Sequence, residues 1–200
     1  MFDWKDVLDF WFGELDENGL PEPAHRNRWF LGSRKFDQEI RRRFLSLVLF
    51  ASEQGLDHWQ KESGGMLAEI LLLDQFSRNM FRGSALAFEQ DVLARKLCKQ
   101  GMSKGFDMSL PAVQRGFFYM PLQHSERLED QILAIECYEQ IAASTSGLLK
   151  EYMGSFLESA LEHHAIITCF RRFPHRNKAL GRTNTKEESE YLLSGKRFGQ

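Results

Sequence analysis

Apolar residues recur at three- and four-residue steps along almost the whole chain, and no stretch shows the two-residue alternation of a half-buried strand. That periodicity confines the fold to the all-α class. The spacing predicts a first helix from Asp3 to Phe12, followed by a loop at Gly13, Gly19, Pro21 and Pro23. Ser33 then caps a helix faced by Phe36, Ile40, Phe44, Leu47 and Ala51, with Gly55 ending it. A third helix covers about Met66 to Arg78, and Ser84 starts a fourth that ends near Gly101. Pro111 fits the first turn of a fifth, which Pro121 kinks or stops, and Ser125 opens a sixth to about Ala143. The longest helix spans about Gly147 to Arg172, where Pro174 prevents continuation. Thr185 with Glu188 forms a capping box for the last. These are about eight helices on short polar connections, which favours stacked antiparallel hairpins or an irregular bundle in one domain over residues 1–200. No 34-residue repeat is visible in the sequence itself.

A chain of 200 residues buries about 70% of its unfolded surface, and seventeen Phe and four Trp against five Pro predict a continuous aromatic core. No stretch free of Asp, Glu, Lys and Arg exceeds ten residues, so no membrane span is expected. The acidic start MFDWKD lacks a signal-peptide layout, which points to a cytoplasmic protein. Cys98, Cys137 and Cys169 are widely spaced and read as small buried hydrophobes rather than a disulfide or zinc framework. The net charge of −2 makes nucleic acid an improbable partner. That total conceals an island: residues 171–182, RRFPHRNKALGR, carry five cations and no acid, leaving −7 on the other 188 residues.

Several polar residues fall within apolar stripes, where burial demands partners. His163 lies in line with Met153, Phe156, Ala160, Ile167 and Phe170, with His164 about 100° round. Gln131 shares a face with Leu128, Ile135 and Tyr138, Asp91 one with Ala87, Phe88, Ala94 and Cys98, and Asp74 follows Leu67 and Leu71. Each taken singly reads as a buried group that fixes helix register. Together they suggest a site. LLLDQFSRNMFR, residues 71–82, sets Asp74, Gln75, Arg78, Asn79 and Arg82 after a strongly apolar helix, while His124 and Glu126 stand at a proline-broken junction.

The island brings Arg172, His175, Arg176 and Arg182 to the start of the last helix, where arginines and unpaired N–H groups make an anion site. The competing explanation is that these arginines pair with carboxylates of the body such as Asp74, Asp91 and Glu126. His124 or His163 suits acid/base work, with Glu126 as an orienting carboxylate. HxE is a weak metal spacing, so neither a metal nor a cofactor is expected. A nucleophilic serine or cysteine has no supporting motif.

The runs LLLDQFSRNMFRGSALAFEQD, FFYMPLQHSERLEDQ and FRRFPHRNKALGRTNTKEE, with VLDFWFGE and WFLGSRKFDQEI upstream, closely resemble the family known as domain of unknown function 924. The resemblance covers nearly the whole chain. It implies a tetratricopeptide-like stack of helical hairpins, typically in bacterial proteins, with no agreed activity. The family pattern matches at the positions singled out above, from Asp74, Arg78 and Arg82 through His124, Glu126 and His163 to Arg172, His175, Arg176 and Arg182. It departs at Arg171, where the family reads FGRFPHRN and has glycine.

The leading expectation is a pocket between helices for a small anionic carboxylate or phosphate compound. Arg78, Arg82, Arg172, His175, Arg176 and Arg182 bind it there, and His124, Glu126 and His163 supply hydrolytic acid/base chemistry. The alternative is a non-enzymatic module that binds a peptide or protein segment in a groove of the hairpins.

Overall fold

The computed structural model describes residues 3–30 and 32–195, and all regular structure among them is helical apart from an isolated bridge between Leu15 and Pro21. Helix α1 (Trp4–Phe12) starts at a capping box between Asp3 and Asp6 and buries Val7, Leu8, Phe10, Trp11 and Phe12. Helix α2 (Pro23–Phe30) occupies part of what the sequence presents as a loop. It buries only Trp29, whose indole N–H donates to the Trp11 carbonyl at 2.9 Å, so it carries no apolar period to read. Helix α3 (Arg34–Ser52) is capped by Ser33 and buries the whole expected stripe. The left-handed residue that follows it is Gln54, at φ 58°, rather than Gly55.

Helix α4 (Ser63–Leu71) passes through a π-helical turn, Leu72–Phe76, straight into α5 (Ser77–Met80). This rod is the molecular axis: every residue from Gly64 to Met80 is buried. The wide turn holds an extra residue, which rotates everything after it by about 100° relative to a straight α-helix. Helix α6 (Asp91–Ser103) begins later than expected, because Ser84 caps only the short 3₁₀ turn Ala85–Ala87. Asp91 therefore opens a helix instead of continuing one.

Helix α7 (Ala112–Gln123) tolerates Pro121 in its last turns and ends at His124. Ser125 does not cap the next helix; α8 (Leu128–Ser144) starts three residues on, while the Ser125 hydroxyl donates to Asp130 at 2.7 Å. A two-residue link then turns α8 back against α9 (Gly147–Phe170), so α7, α8 and α9 stack as successive antiparallel hairpins. Gly116 permits a close approach of α7 to α9, since a Cβ there would come within 2.8 Å of Met153. Residues 171–185 fold back across the ends of these helices to α10 (Lys186–Ser194), which starts at the expected Thr185–Glu188 capping box. The core is aromatic, with Trp11, Trp29 and Phe156 each meeting Phe117 edge-on and the two indoles stacked on one another. Cys98 and Cys137 are buried within the fold as expected; Cys169 is exposed.

Candidate functional site

Four stretches of chain present one stripe each to a cavity of about 370 Å³. The rod contributes Gln75, Arg78 and Asn79, with Arg82 in the turn just beyond it, α7 and its C-cap contribute Met120, Gln123 and His124, and α9 contributes Ser155, Phe156, Ser159 and His163. Each set follows helical spacing, so these side chains share a face of their helix. Trp29, Phe30 and Gly32 close the remaining side, with Phe30 exposed at the rim and packed edge-on to Phe156. The cavity thus has an aromatic wall and a polar floor.

The floor is organised by a buried carboxylate. Asp74 receives the His124 Nδ1–H at 2.7 Å and the Arg78 guanidinium at 2.7 Å. Burial alone would raise its pKa, but Arg78 and then His124 outweigh that and hold the carboxyl below the usual range. Burial, helped by Arg78, pushes His124 in the other direction, below its ordinary value, so the imidazole is neutral at pH 7. With Nδ1–H committed to Asp74, Nε2 is the ring nitrogen that carries the lone pair. His163 lies alongside, 6.0 Å from His124 between ring centres, with its Nδ1 2.7 Å from the Ser159 carbonyl. A carbonyl only accepts, so Nδ1 bears the proton; burial keeps this ring neutral as well, well below the ordinary histidine pKa.

Arg78 also grips Asp91 at 2.9 Å, and Asp91 in turn receives Arg176 at 3.0 Å. Arg176 donates onward to the His124 carbonyl at 2.9 Å. A closed circuit of Asp74, Arg78, Asp91, Arg176 and His124 therefore fixes the imidazole from the rod, α6 and the 171–185 segment at once. Arg82 is held separately by a two-pronged pair with Asp37 of α3, at 3.0 and 3.2 Å.

Of the residues expected in the site, Gln75, Arg78, Asn79, Arg82, His124 and His163 line the cavity, whereas Glu126, Arg172, His175, Arg176 and Arg182 do not. The basic island serves a different purpose. Arg172 clasps Glu188 at 2.6 and 2.7 Å, and Arg182 clasps Glu126 at 2.8 and 3.0 Å. Glu126 also accepts the Phe173 N–H at 2.8 Å, so it anchors the returning chain instead of orienting a histidine. Arg176 is buried over the rings of Phe88 and Phe173, and His175 beside it is pushed down to about 3 by burial and the Arg176 charge. The anion expected at the start of the last helix is the protein's own: Glu188 accepts the Thr185 N–H at 2.8 Å and takes Arg172. Gln131 likewise proves structural, donating to the Gln123 and Ser125 carbonyls at 2.6 Å each to close the end of α7.

The family model described as bacterial protein of unknown function (DUF924) matches residues 7–196. The chain belongs to the DUF924 family. A solved structure, that of protein of unknown function ATU0120 from Agrobacterium tumefaciens, is similar to this DUF924 protein at 34% identity over 96% of this chain and 97% of the other, with a TM-score of 0.81. Among curated proteins, nothing matches the chain.

The aromatic wall carries no periodic signal in the sequence, because Trp29 and Phe30 sit on α2, which buries a single residue. Ser155 and Ser159 were legible in principle, as they precede His163 by eight and four residues on one face. Among the described residues, no group of three His, Cys, Asp or Glu converges as metal ligands would, and no helix is long and apolar enough to cross a membrane.

Proposed function

We propose that the cavity binds a small organic molecule and that His124 exchanges a proton with it, or with a water that attacks it, as in ester or amide hydrolysis. The supporting observation is the 2.7 Å bond from His124 Nδ1 to the buried Asp74 on the wall of a closed-sided cavity. A carboxylate behind a neutral imidazole fixes its tautomer and stabilises the imidazolium that forms when Nε2 takes a proton. Ser155 donates its hydroxyl to the Tyr152 carbonyl and Ser159 accepts from Gln123, so neither is set up as a nucleophile on His124 and water is the natural attacking group. For a peptide-binding module the corresponding feature is a continuous groove along the stacked hairpins. A cavity bounded by α2, the α4–α5 rod, α7 and α9 suits a compact ligand better.

A thermal-shift screen of small esters, amides, carboxylates and phosphates tests this. Compounds that raise the wild-type midpoint should lose that effect in Phe30→Ala, which alters only the rim. Any turnover found should fall by about 10²–10⁴-fold in His124→Gln. A screen in which nothing moves the midpoint, or turnover indifferent to His124→Gln, removes the proposal.

A further inference from the structure

The expectation of an anionic ligand rested on a surplus of arginines, and the structure allows their charge to be followed to its destination. Three guanidinium groups stand in or directly behind the cavity wall: Arg78, Arg82 and Arg176. Three carboxylates meet them. Asp74 and Asp91 embrace Arg78, Asp91 also takes Arg176, and Asp37 holds Arg82 in two parallel hydrogen bonds whose outer guanidinium nitrogen further donates to Asn79 at 3.2 Å. Both imidazoles are neutral near pH 7. The wall therefore carries no net charge, and its cations already hold carboxylates in good geometry.

A ligand carboxylate or phosphate entering this cavity would give up its hydration without finding an uncommitted cation to replace it. An uncharged polar group meets no such penalty. His124 Nε2 and the Gln75 side-chain oxygen supply acceptors for it, the second N–H of Asn79, whose first goes to the Gln75 carbonyl, supplies a donor, and Trp29, Phe30, Phe156 and Met120 supply an apolar surface opposite. Building on the reading of the cavity as a binding site, we infer that its ligand is a neutral amphipathic compound: an aromatic or branched apolar group joined to an amide, ester or alcohol function. The apolar part lies against Trp29, Phe30 and Phe156. A hydroxyl or amide N–H of the ligand faces the lone pair of His124 Nε2, and a carbonyl faces the side-chain amide of Asn79.

Matched pairs of probes that differ only in charge, benzamide against benzoate and phenylacetamide against phenylacetate, provide the test. They are titrated at pH 7.5 into the full-length protein with ¹⁵N-labelled histidine, the side-chain signals of His124 and His163 being assigned with His124→Gln and His163→Gln. The amides should perturb both signals and bind about tenfold or more tightly than the carboxylates. In Asp37→Asn, where Arg82 loses the carboxylate that balances its charge, the carboxylates should gain about tenfold and close the gap. Carboxylates that bind the wild-type protein as tightly as the amides, with the same histidine signals moved, would overturn the neutral-ligand inference and leave the binding site standing. Should neither member of any pair move those signals, the binding-site reading fails and the inference with it. The wild-type comparison decides the matter even if Asp37→Asn does not fold.

Discussion

Arg171 closes helix α9 in the left-handed conformation, at φ 62°, with its side chain exposed. An L-residue with a Cβ pays about 1–2 kcal/mol for that region, whereas glycine enters it freely. The glycine implied here by the family resemblance is thus explained by backbone geometry, and the positive charge of Arg171 plays no part in the cavity. Arg171→Gly should stabilise the protein by about 1 kcal/mol and raise its melting midpoint by about 2–4 °C; an unchanged or lower midpoint would show that Arg171 is held by something other than its backbone. Glu69 makes a second residue-scale case. It is fully buried on α4 with Gln60 as its hydrogen-bond donor, and burial, abetted by Asp57, raises its pKa to about 7. A carboxyl raised in the folded state contributes stability below its unfolded value of 4.5, and that contribution is lost as the pH climbs through about 7. Glu69→Gln should therefore match the wild type near pH 5 and exceed it by about 1–3 kcal/mol at pH 8, read from urea unfolding.

Elements were legible in proportion to how far each one's own residues decide it. The stripe of α3, the capping box of α10 and the stop before Pro174 are local, and the sequence foretells them because the partners lie within a few positions. Helix α2 was invisible, since PAHRNRWF has one buried residue and no period. The π turn was equally hidden: its neighbours are buried on all sides, so no change of face marks the extra residue. The 171–185 segment was legible in part: pairing of its arginines with body carboxylates, Asp91 and Glu126 among them, was one of two explanations, and it is the one the structure shows. Its charge was plain, but the partners of Arg176, Arg182 and Arg172 lie 85, 56 and 16 positions away and only the fold brings them together. This assignment ranks its arginines. Arg176 is 5% exposed and joins three elements through Asp91 and the His124 carbonyl, whereas the Arg182–Glu126 pair is about a quarter exposed. Removing a buried partner costs about 3–5 kcal/mol, and a solvated pair about 1 or less. Arg176→Ala should accordingly destabilise by about 3 kcal/mol and Arg182→Ala by about 1, as measured by chemical denaturation. The reverse order would mean that the circuit through Asp91 does not hold the segment.

At the scale of the molecule, titration of the buried groups should give the fold a stability maximum near neutral pH. His124, His163 and His175 all have folded pKa values below 6.5, in each case chiefly because burial disfavours the charged ring. Below about pH 6.5 the unfolded chain takes up protons that the folded chain refuses, so stability falls as the pH drops. For His175 this loss continues down to about 3. Glu69 works against the histidines between pH 7 and 4.5, because there the folded state holds the extra proton. Three groups outweigh one, and stability at pH 5.5 should lie about 1–3 kcal/mol below that at pH 7. A steeper loss follows at lower pH. Asp74, Glu126 and Glu188 are all held below the ordinary carboxylate range, Asp74 by Arg78 and His124 against its burial, Glu126 by Arg182 against its own, and Glu188 first by Arg172. Their contribution is present above the unfolded carboxylate value near 4 and disappears as the pH falls through their folded values. On the alkaline side Glu69 adds no further fall above about pH 7, where it is ionised in both states; stability declines again only above about 9, as the unfolded chain ionises thiols that burial keeps protonated at Cys98 and Cys137. Urea midpoints at pH 8, 7, 5.5 and 4 check the whole profile. A midpoint at pH 5.5 equal to or above that at pH 7 would mean that the buried imidazoles accept protons in the folded state, and with that the neutral, carboxylate-backed His124 on which the cavity's chemistry depends would be lost.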